Sequence, residues 1–104
     1  MSQPLPISFT RRAAEQTEAA GRWWRENRTK APEALREELE LALQLVCSQP
    51  EIGAMARNTR LAGVRRVLLS RVRYHLYYRV LAAPSRSIEV LALWHASRGE
   101  KPAV

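Results

Sequence analysis

The chain has 104 residues, which is enough for one domain but too few for two separate hydrophobic cores. A hydrophobic fraction of 46% argues against a disordered chain, and no apolar run approaches the roughly 20 residues that a membrane-spanning helix requires. The formal net charge of +7 comes from residues 57–104, with ten basic and two acidic side chains, because residues 1–56 carry seven basic and eight acidic ones. This charge favours an acidic partner, either nucleic acid or protein, over a role in solubility alone.

Cysteine, histidine and aspartate content limits the chemistry that the chain can carry. Cys47 is the single cysteine, so the chain cannot form an internal disulfide, which fits a reducing compartment. The first ten residues lack a charged start followed by an apolar core, so we expect no signal peptide and a cytoplasmic protein without a membrane partner. One cysteine, two well-separated histidines and no aspartate provide no ligand cluster, so we expect no metal and no cofactor.

The N-terminal part predicts a short edge strand followed by a helix. Residues 6–10 are predicted to form the strand, which would join the edge of a sheet. Thr10 suits the N-cap of a helix over residues 11–28, because its hydroxyl can accept from the free amides of the first turn. Trp23 points about a quarter-turn away from the core-facing side of this helix. Helical spacing gives that side a narrow stripe of Ala13, Thr17, Ala20 and Trp24.

A second helix is predicted over residues 32–48, where Pro32 suits the first helical position and early glutamates complement the helix dipole. The short connection makes the two helices an antiparallel hairpin. Leu41 and Leu45 lie off the core-facing stripe, so a second side of this helix is predicted to be covered by the sheet or by another chain. The stripe itself contains Leu35, Leu39, Ala42 and Val46.

Residues 64–98 are predicted to form a three-stranded antiparallel sheet, because aromatic and β-branched residues alternate and the connections are short. In the middle strand, a period of two places Tyr74, Leu76, Tyr78 and Val80 opposite His75, Tyr77, Arg79 and Leu81. In the third strand, the same rule places Ile88, Val90, Ala92 and Trp94 opposite Glu89, Leu91, Leu93 and His95. Residues 99–104 show no pattern and are predicted to be a flexible tail.

The predicted order of elements is therefore β-α-α-β-β-β within a single domain spanning residues 1–104. The helical hairpin must bury its apolar stripe, and the sheet offers the only apolar surface large enough to receive it. We therefore predict a two-layer α+β domain, with the N-terminal helical hairpin packed on a small antiparallel sheet. The buried layer beneath the helices is predicted to contain Leu76, Tyr78, Val80, Ile88 and Val90.

Taken together, these segments resemble the RelE/ParE toxin family of bacterial type II toxin–antitoxin pairs over nearly the whole chain. The resemblance rests on an Ala-rich first helix ending in Trp23-Trp24, and on a second helix, EALREELELALQLV, followed by Pro50-Glu51-Ile52-Gly53. It continues with Gly63-Val64-Arg65-Arg66, the runs YHLYYRV and IEVLAL, and the ending His95-Ala96-Ser97-Arg98. The resemblance implies a small toxin whose basic surface is held by the C-terminal segment of a cognate antitoxin.

The two branches of the family imply different activities. RelE-like members cut mRNA within the ribosome, whereas ParE-like members act on DNA gyrase and are not nucleases. RelE-like chains typically have a basic residue after the tyrosine of the middle strand and an aromatic acid–base candidate in the tail. Here these positions hold His75 and the sequence GEKPAV. The ending His95-x-x-Arg98 resembles the ParE-like branch, so we favour a toxin that binds a protein target over an enzyme.

These hypotheses predict two sets of site residues. In a nuclease, His75 or His95 would act as acid or base, and Arg79 and Arg98 would bind phosphate. In a protein-binding toxin, the predicted contact residues are Arg65, Arg66, Arg79, Trp94, Arg98, Trp23, Leu41 and Leu45. The exposed side of the helices would then be covered by an antitoxin or by a second copy of the chain. A third hypothesis is an inactive basic module that binds without toxicity.

Overall fold

In the computed structural model, which describes residues 3–104, two helices pack on one face of a five-stranded sheet. The elements in chain order are β1 (Ile7–Phe9), α1 (Arg11–Asn27), α2 (Ala34–Ser48), β2 (Ala54–Met55), β3 (Arg65–Leu69), β4 (Tyr74–Leu81) and β5 (Ser87–His95). The strand order across the sheet is β1-β5-β4-β3-β2. The predicted α+β fold is confirmed, with β2 as an addition. Neither helix of the described chain is long and apolar enough to cross a membrane.

The sheet is mixed rather than wholly antiparallel. β1 runs parallel to β5, with Ile7 opposite Ile88. This pairing follows from the long connection through the helices, whereas short connections make β3, β4 and β5 antiparallel neighbours, as predicted. At the other edge, β2 pairs with β3 at Arg65 and Arg66.

α1 begins one residue after its predicted cap. The Ala13 amide donates a hydrogen bond of 3.1 Å to the Thr10 hydroxyl, which satisfies a backbone group that the first helical turn leaves free. Ala13 and Trp24 are buried on the sheet side, and the Trp24 indole donates to the Ala31 carbonyl at 2.9 Å. Trp23, the neighbour in the chain, is 44% exposed, in agreement with its predicted position.

α2 begins at Ala34, two residues after its predicted start. Pro32 and Glu33 form a turn instead, in which the Ala34 amide donates to the Ala31 carbonyl at 3.1 Å. Glu33 occupies the N-cap position without a side-chain hydrogen bond to the helix. The helix ends at Ser48, as predicted, and buries Ala34, Leu35, Leu39, Val46 and Cys47.

The core lies between the helices and the sheet, and its central layer is the predicted one. Val80, at the margin of that layer, is half-buried. Burial of these apolar side chains is the main source of stability for a domain of this size. Complete burial is found for Leu76, Tyr78, Ile88 and Val90.

The hydroxyl of Tyr78 ties the core to the loop that follows α2. It donates to the Pro50 carbonyl at 2.8 Å and accepts from the Gly53 amide at 2.9 Å. A Cβ atom at Gly53 would lie 2.7 Å from this hydroxyl, closer than side-chain atoms approach each other. Glycine is therefore the residue that lets the loop pass this close to the ring.

A β-bulge interrupts the pairing of β4 with β5. Tyr78 pairs with Val90, but the preceding Tyr77 pairs with Ala92, so Leu91 is an extra residue on β5. Such an insertion shifts the two-residue alternation of the bulged strand by one position. In the second half of β5, the side chains that face the helices are therefore the ones that strict alternation would place on the other face.

The face assignment predicted for the end of β5 is consequently wrong. Val90 packs among the helices as expected, but Leu93 does so as well, and His95 lies beside it opposite Tyr74. Ala92 and Trp94 lie on the outer face, which we define as the face of the sheet turned away from the helices.

The C-terminal segment is packed on this outer face, so the predicted flexible tail over residues 99–104 is also wrong. Val104 is 7% exposed, and its terminal carboxylate accepts from the Arg60 amide at 2.6 Å. The Arg12 guanidinium donates to the Ala103 carbonyl at 3.0 Å. Pro102 and Val104 are the buried residues of the segment, and Val104 belongs to an apolar cluster with Val64, Tyr77, Leu91 and Ala92.

Candidate functional site

A groove between α1 and the end of β5 forms a cavity of about 560 Å³. On its helix side, Gln16, Ala20 and Trp23 are spaced by four and three residues and so share one face of α1. On its sheet side, Leu93 and His95 reach the groove because the bulge turns them toward the helices. We call this cavity the α1–β5 groove, and its lining is Gln16, Ala19, Ala20, Trp23, Arg28, Tyr74, Leu93, His95, Ser97 and Arg98.

Stacked arginines bring positive charge to the α1–β5 groove. The guanidinium carbon of Arg28 lies 4.9 Å from the ring centroid of Trp23 and 5.7 Å from that of Trp24. The guanidinium carbon of Arg98 lies 3.8 Å from the ring centroid of Trp94. Stacking on a ring face orients a guanidinium. Arg98 also forms an exposed ion pair of 3.6 Å with Glu100, and Arg28 donates to the Asn27 carbonyl at 3.2 Å, so each keeps its remaining N–H groups for a partner. The groove therefore combines small and apolar side chains with oriented cations.

His95 is held in the groove by its neighbours. Its ring lies edge-on to the Tyr74 ring, with centroids 4.9 Å apart. Its Nδ1 atom accepts from the Ser97 amide at 3.1 Å and lies 2.6 Å from the Ser97 hydroxyl oxygen. Because an amide can only donate, the neutral imidazole carries its hydrogen on Nε2. Burial raises the pKa of Tyr74, although the nearby Arg98 charge partly offsets this effect.

The outer face carries a separate group of polar side chains. Arg66 donates to the Tyr77 hydroxyl at 3.3 Å, and the Tyr77 and His75 ring centroids lie 6.2 Å apart. Burial lowers the pKa of His75, and the positive charges of Arg66 and Arg73 lower it further. The imidazole of His75 is therefore biased toward its neutral form.

Comparison with known proteins assigns the chain to a family. A family model described as the ParE toxin of the type II toxin–antitoxin system parDE matches residues 7–99. The chain belongs to the ParE toxin family. The predicted resemblance, including the preference for the ParE-like branch, is thereby confirmed.

Structure comparison agrees with this assignment at the level of the fold. Nine chains of solved structures are similar to this ParE-family chain. One of them, from the chromosomal ParDE TA system of P. aeruginosa, has 21% sequence identity and a TM-score of 0.59. The match covers 92% of this chain and 100% of that one, and at this identity it shows a shared fold. No curated protein sequence is significantly similar to the chain.

In this ParE-family chain, the residues predicted for a nuclease do not form one cluster. His75 and Arg79 point to the outer face, whereas His95 lies on the helix side. The Arg79 Nε atom lies 2.8 Å from Glu89 Oε1, with both side chains largely buried, so this guanidinium already has a carboxylate partner. Within residues 3–104, no three His, Cys, Asp or Glu side chains are placed to hold a metal ion.

The residues predicted to bind a partner lie in three regions of the chain. Trp23 and Arg98 line the α1–β5 groove. Leu41 and Leu45 are 61% and 41% exposed, and the exposed Leu68, whose side chain lies on the outer face, lines the same cavity from the edge of β3. We call these leucines the α2–β3 patch. The remaining predicted residues lie on the sheet and are Arg65, Arg66, Arg79 and Trp94.

Not all of these sheet residues are free to meet a partner. Arg65 donates to the Gly53 carbonyl at 2.8 Å and to the Glu51 carbonyl at 3.2 Å, so it closes the loop after α2. The Trp94 indole donates to the Glu100 carbonyl at 2.9 Å and so helps to hold the C-terminal segment. Arg66 stays on the outer face beside Tyr77.

The sequence analysis missed Arg28, Gln16 and Leu68 as site residues. The four-residue spacing from Trp24 to Arg28 could have indicated the stacked arginine. Leu68 follows Val67 in β3, and alternation could have placed it on the outer face beside His75. Nothing in the sequence indicates Gln16, because its side-chain oxygen accepts from the Leu93 amide only after α1 packs on β5.

Proposed function

We propose that this ParE-family toxin acts by occupying an essential protein target, and that a cognate antitoxin neutralises it. DNA gyrase is the target that the family suggests. The mechanism is binding rather than chemistry, so it requires a surface that recognises a partner and no acid–base pair. The α1–β5 groove is the observation that carries this proposal.

The groove has the size and composition of a binding site for a protein segment. Its volume of about 560 Å³ lies within the range of roughly 300–1,000 Å³ that is usual for small-molecule pockets, which is enough to receive a few side chains of a partner. The exposed Trp23 ring supplies large apolar area, and tryptophan and arginine are the residues that most often dominate binding energy at interfaces. An apolar side chain flanked by carboxylates would match the small floor residues and the charges of Arg28 and Arg98.

Charge distribution supports an acidic antitoxin segment as the neutralising partner. Residues 57–104 hold ten basic and two acidic side chains, so a negatively charged segment would be attracted from a distance. An antitoxin that covers the groove would exclude the target from the same surface. Neutralisation would then follow from competition for one site.

Controlled expression in growing bacteria tests the proposal. We expect the chain to stop incorporation of labelled thymidine, and to induce DNA-damage signals, before incorporation of labelled methionine falls. Trp23→Ala should weaken this effect. Arg22→Ala should not, because Arg22 is exposed on α1 and does not line the groove.

Other outcomes of this expression experiment select the remaining hypotheses. Rapid cleavage of ribosome-bound mRNA, abolished by His95→Ala, would identify a ribosome-dependent endoribonuclease. Folded protein without any effect on growth would identify an inactive basic binding module. Either result would exclude target occupancy as the mechanism.

A further inference from the structure

A second cavity lies on the outer face, on the opposite side of the sheet from the α1–β5 groove. Its volume is about 190 Å³. One wall is the loop between β2 and β3, another is the C-terminal segment, and the floor is the sheet itself. We call it the loop–tail pocket, and its lining is Met55, Ala56, Arg57, Asn58, Thr59, Arg66, Tyr77, Lys101, Pro102 and Val104.

The packing of the C-terminal segment builds this pocket. The Ala56 amide donates to the Val64 carbonyl at 2.9 Å, and the Arg60 amide donates to the terminal carboxylate of Val104 at 2.6 Å. These hydrogen bonds fix the loop to the sheet and to the chain end. As a result, Lys101 is brought to the same cavity as Arg57 and Arg66, although the three are far apart in the sequence.

The cations of the loop–tail pocket form no ion pair within residues 3–104, and the one negative group in the described pocket wall is the terminal carboxylate of Val104, which accepts from the Arg60 amide. No glutamate lines the pocket, and Arg57, Arg66 and Lys101 form no ion pair with the described chain. Of the other cations of residues 57–104, Arg71, Arg79, Arg86 and Arg98 do form such pairs, whereas Arg60, Arg65 and Arg73 do not. Three of the six cations without an ion pair in this part of the described chain therefore lie at this one pocket.

We propose that the loop–tail pocket binds a phosphate group, either free or carried by a nucleotide. The Arg66 guanidinium can present paired N–H donors to phosphate oxygens, and Lys101 adds a compact charge. The Tyr77 hydroxyl accepts its hydrogen bond from Arg66, so its own hydrogen is available to an anion. A volume of about 190 Å³ admits one phosphate with a small attached group rather than a folded segment of protein.

This site is independent of the proposed target binding, because it lies on the other face of the sheet and shares no lining residue with the α1–β5 groove. Its ligand class also differs, since the pocket offers hydrogen-bond donors and charge where the groove offers small and apolar side chains. Failure to bind phosphate would therefore not count against the gyrase hypothesis. Failure to inhibit gyrase would likewise not count against phosphate binding.

The test is an NMR titration of the purified full chain with sodium phosphate and, separately, with adenosine monophosphate. Sodium chloride at equal ionic strength is the reference. We expect saturable shifts of the Thr59 and Lys101 amides. We also expect an upward shift in the pKa of His75, because a bound anion offsets the charge of Arg66. His95, on the other face, is the internal control.

Charge-removing variants decide whether the pocket is the site. Arg66→Gln and Lys101→Gln should each raise the dissociation constant about tenfold or more, the loss expected for one charge-assisted hydrogen bond. Arg22→Gln and Lys30→Gln remove the same charges outside the pocket and should change the dissociation constant less than about twofold.

Two comparisons complete the test. Tighter binding of adenosine monophosphate than of inorganic phosphate would identify a nucleotide as the source of the phosphate, and equal binding would identify the phosphate group alone. The proposal is overturned if the shifts do not saturate, or if sodium chloride reproduces them. It is also overturned if the pocket variants and the control variants weaken binding equally, because the attraction would then be diffuse.

Discussion

Tyr78 shows at the scale of one residue how a buried polar group is accommodated in the core. Its ring is fully buried in β4, while its hydroxyl meets the Pro50 carbonyl and the Gly53 amide. Both backbone groups would lose a partner without it, and a buried unpaired group costs more than a hydrogen bond contributes. The loop after α2 is thus attached to the core through one oxygen atom.

The first prediction is that Tyr78→Phe lowers the free energy of unfolding by about 1–3 kcal/mol, the usual cost of leaving buried partners unsatisfied. Urea denaturation measures the change. Tyr74→Phe is the matched control, because the Tyr74 hydroxyl makes no hydrogen bond within residues 3–104. Equal losses in both variants would show that the hydroxyl of Tyr78 has no special structural role.

The second prediction concerns pH. Burial and nearby arginines hold the pKa of His75 below its ordinary value of 6.5. Well above pH 6.5, the imidazole is neutral in both states and has no effect on stability. As the pH falls through 6.5, the unfolded chain takes up the proton first, so the free energy of unfolding decreases until the folded protein also protonates.

His75→Gln, which cannot titrate, should therefore lose less stability than the wild type between pH 7.5 and pH 5. Urea denaturation at a series of pH values measures the two slopes, and subtraction removes the contributions of the other titrating groups. Parallel curves for the two proteins would contradict the assigned environment of His75.

At the scale of elements, the sequence predicts the helices and β4 well because one face of each is apolar and the other polar. Tyr74, Leu76 and Tyr78 alternate cleanly with polar neighbours, so their faces could be assigned. In β5, residues on both faces are apolar, and the pattern gave no warning of an extra residue at Leu91. The bulge is a property of strand pairing, which one strand read alone does not reveal.

The other departures from prediction also depend on contacts between segments that are far apart in the sequence. The parallel placement of β1 beside β5 depends on a contact between the two ends of the chain. The packing of Val104 is likewise a long-range contact made by a single side chain. Trp23 and Arg98 were predicted separately as partner-binding residues, and that role stays a prediction; the fold brings them together in the α1–β5 groove with Arg28 and Gln16.

The third prediction concerns α2. Replacing exposed Leu41 and Leu45 together with glutamate should abolish co-purification with the cognate antitoxin while the domain stays folded, because neither side chain contributes to the core. Trp23→Glu tests the groove in the same way. Gln44→Glu adds one negative charge at an exposed position between the two leucines and should preserve the complex.

Pull-down of a tagged antitoxin measures this loss, and circular dichroism checks the fold. Retention of the complex by the leucine variant would exclude the α2–β3 patch from the antitoxin interface. Unfolding of the variant would show that these leucines contribute to stability despite their exposure.

At the scale of the whole molecule, the bulge separates the two histidines that a nuclease site would need. Without it, alternation would place His95 on the same face as His75 and Arg79. With it, His95 turns into the α1–β5 groove, and the acid–base candidates lie on opposite faces of the sheet. The arrangement favours a ParE-family member that binds its target over one that cleaves RNA.

The measurement that tests this account most directly is DNA supercoiling by purified gyrase in the presence of the purified chain. We predict inhibition that increases with toxin concentration, that the cognate antitoxin relieves, and that Trp23→Ala weakens while Arg22→Ala retains it. Unchanged supercoiling by the folded chain, together with cleavage of ribosome-bound mRNA that His95→Ala abolishes, would contradict the account.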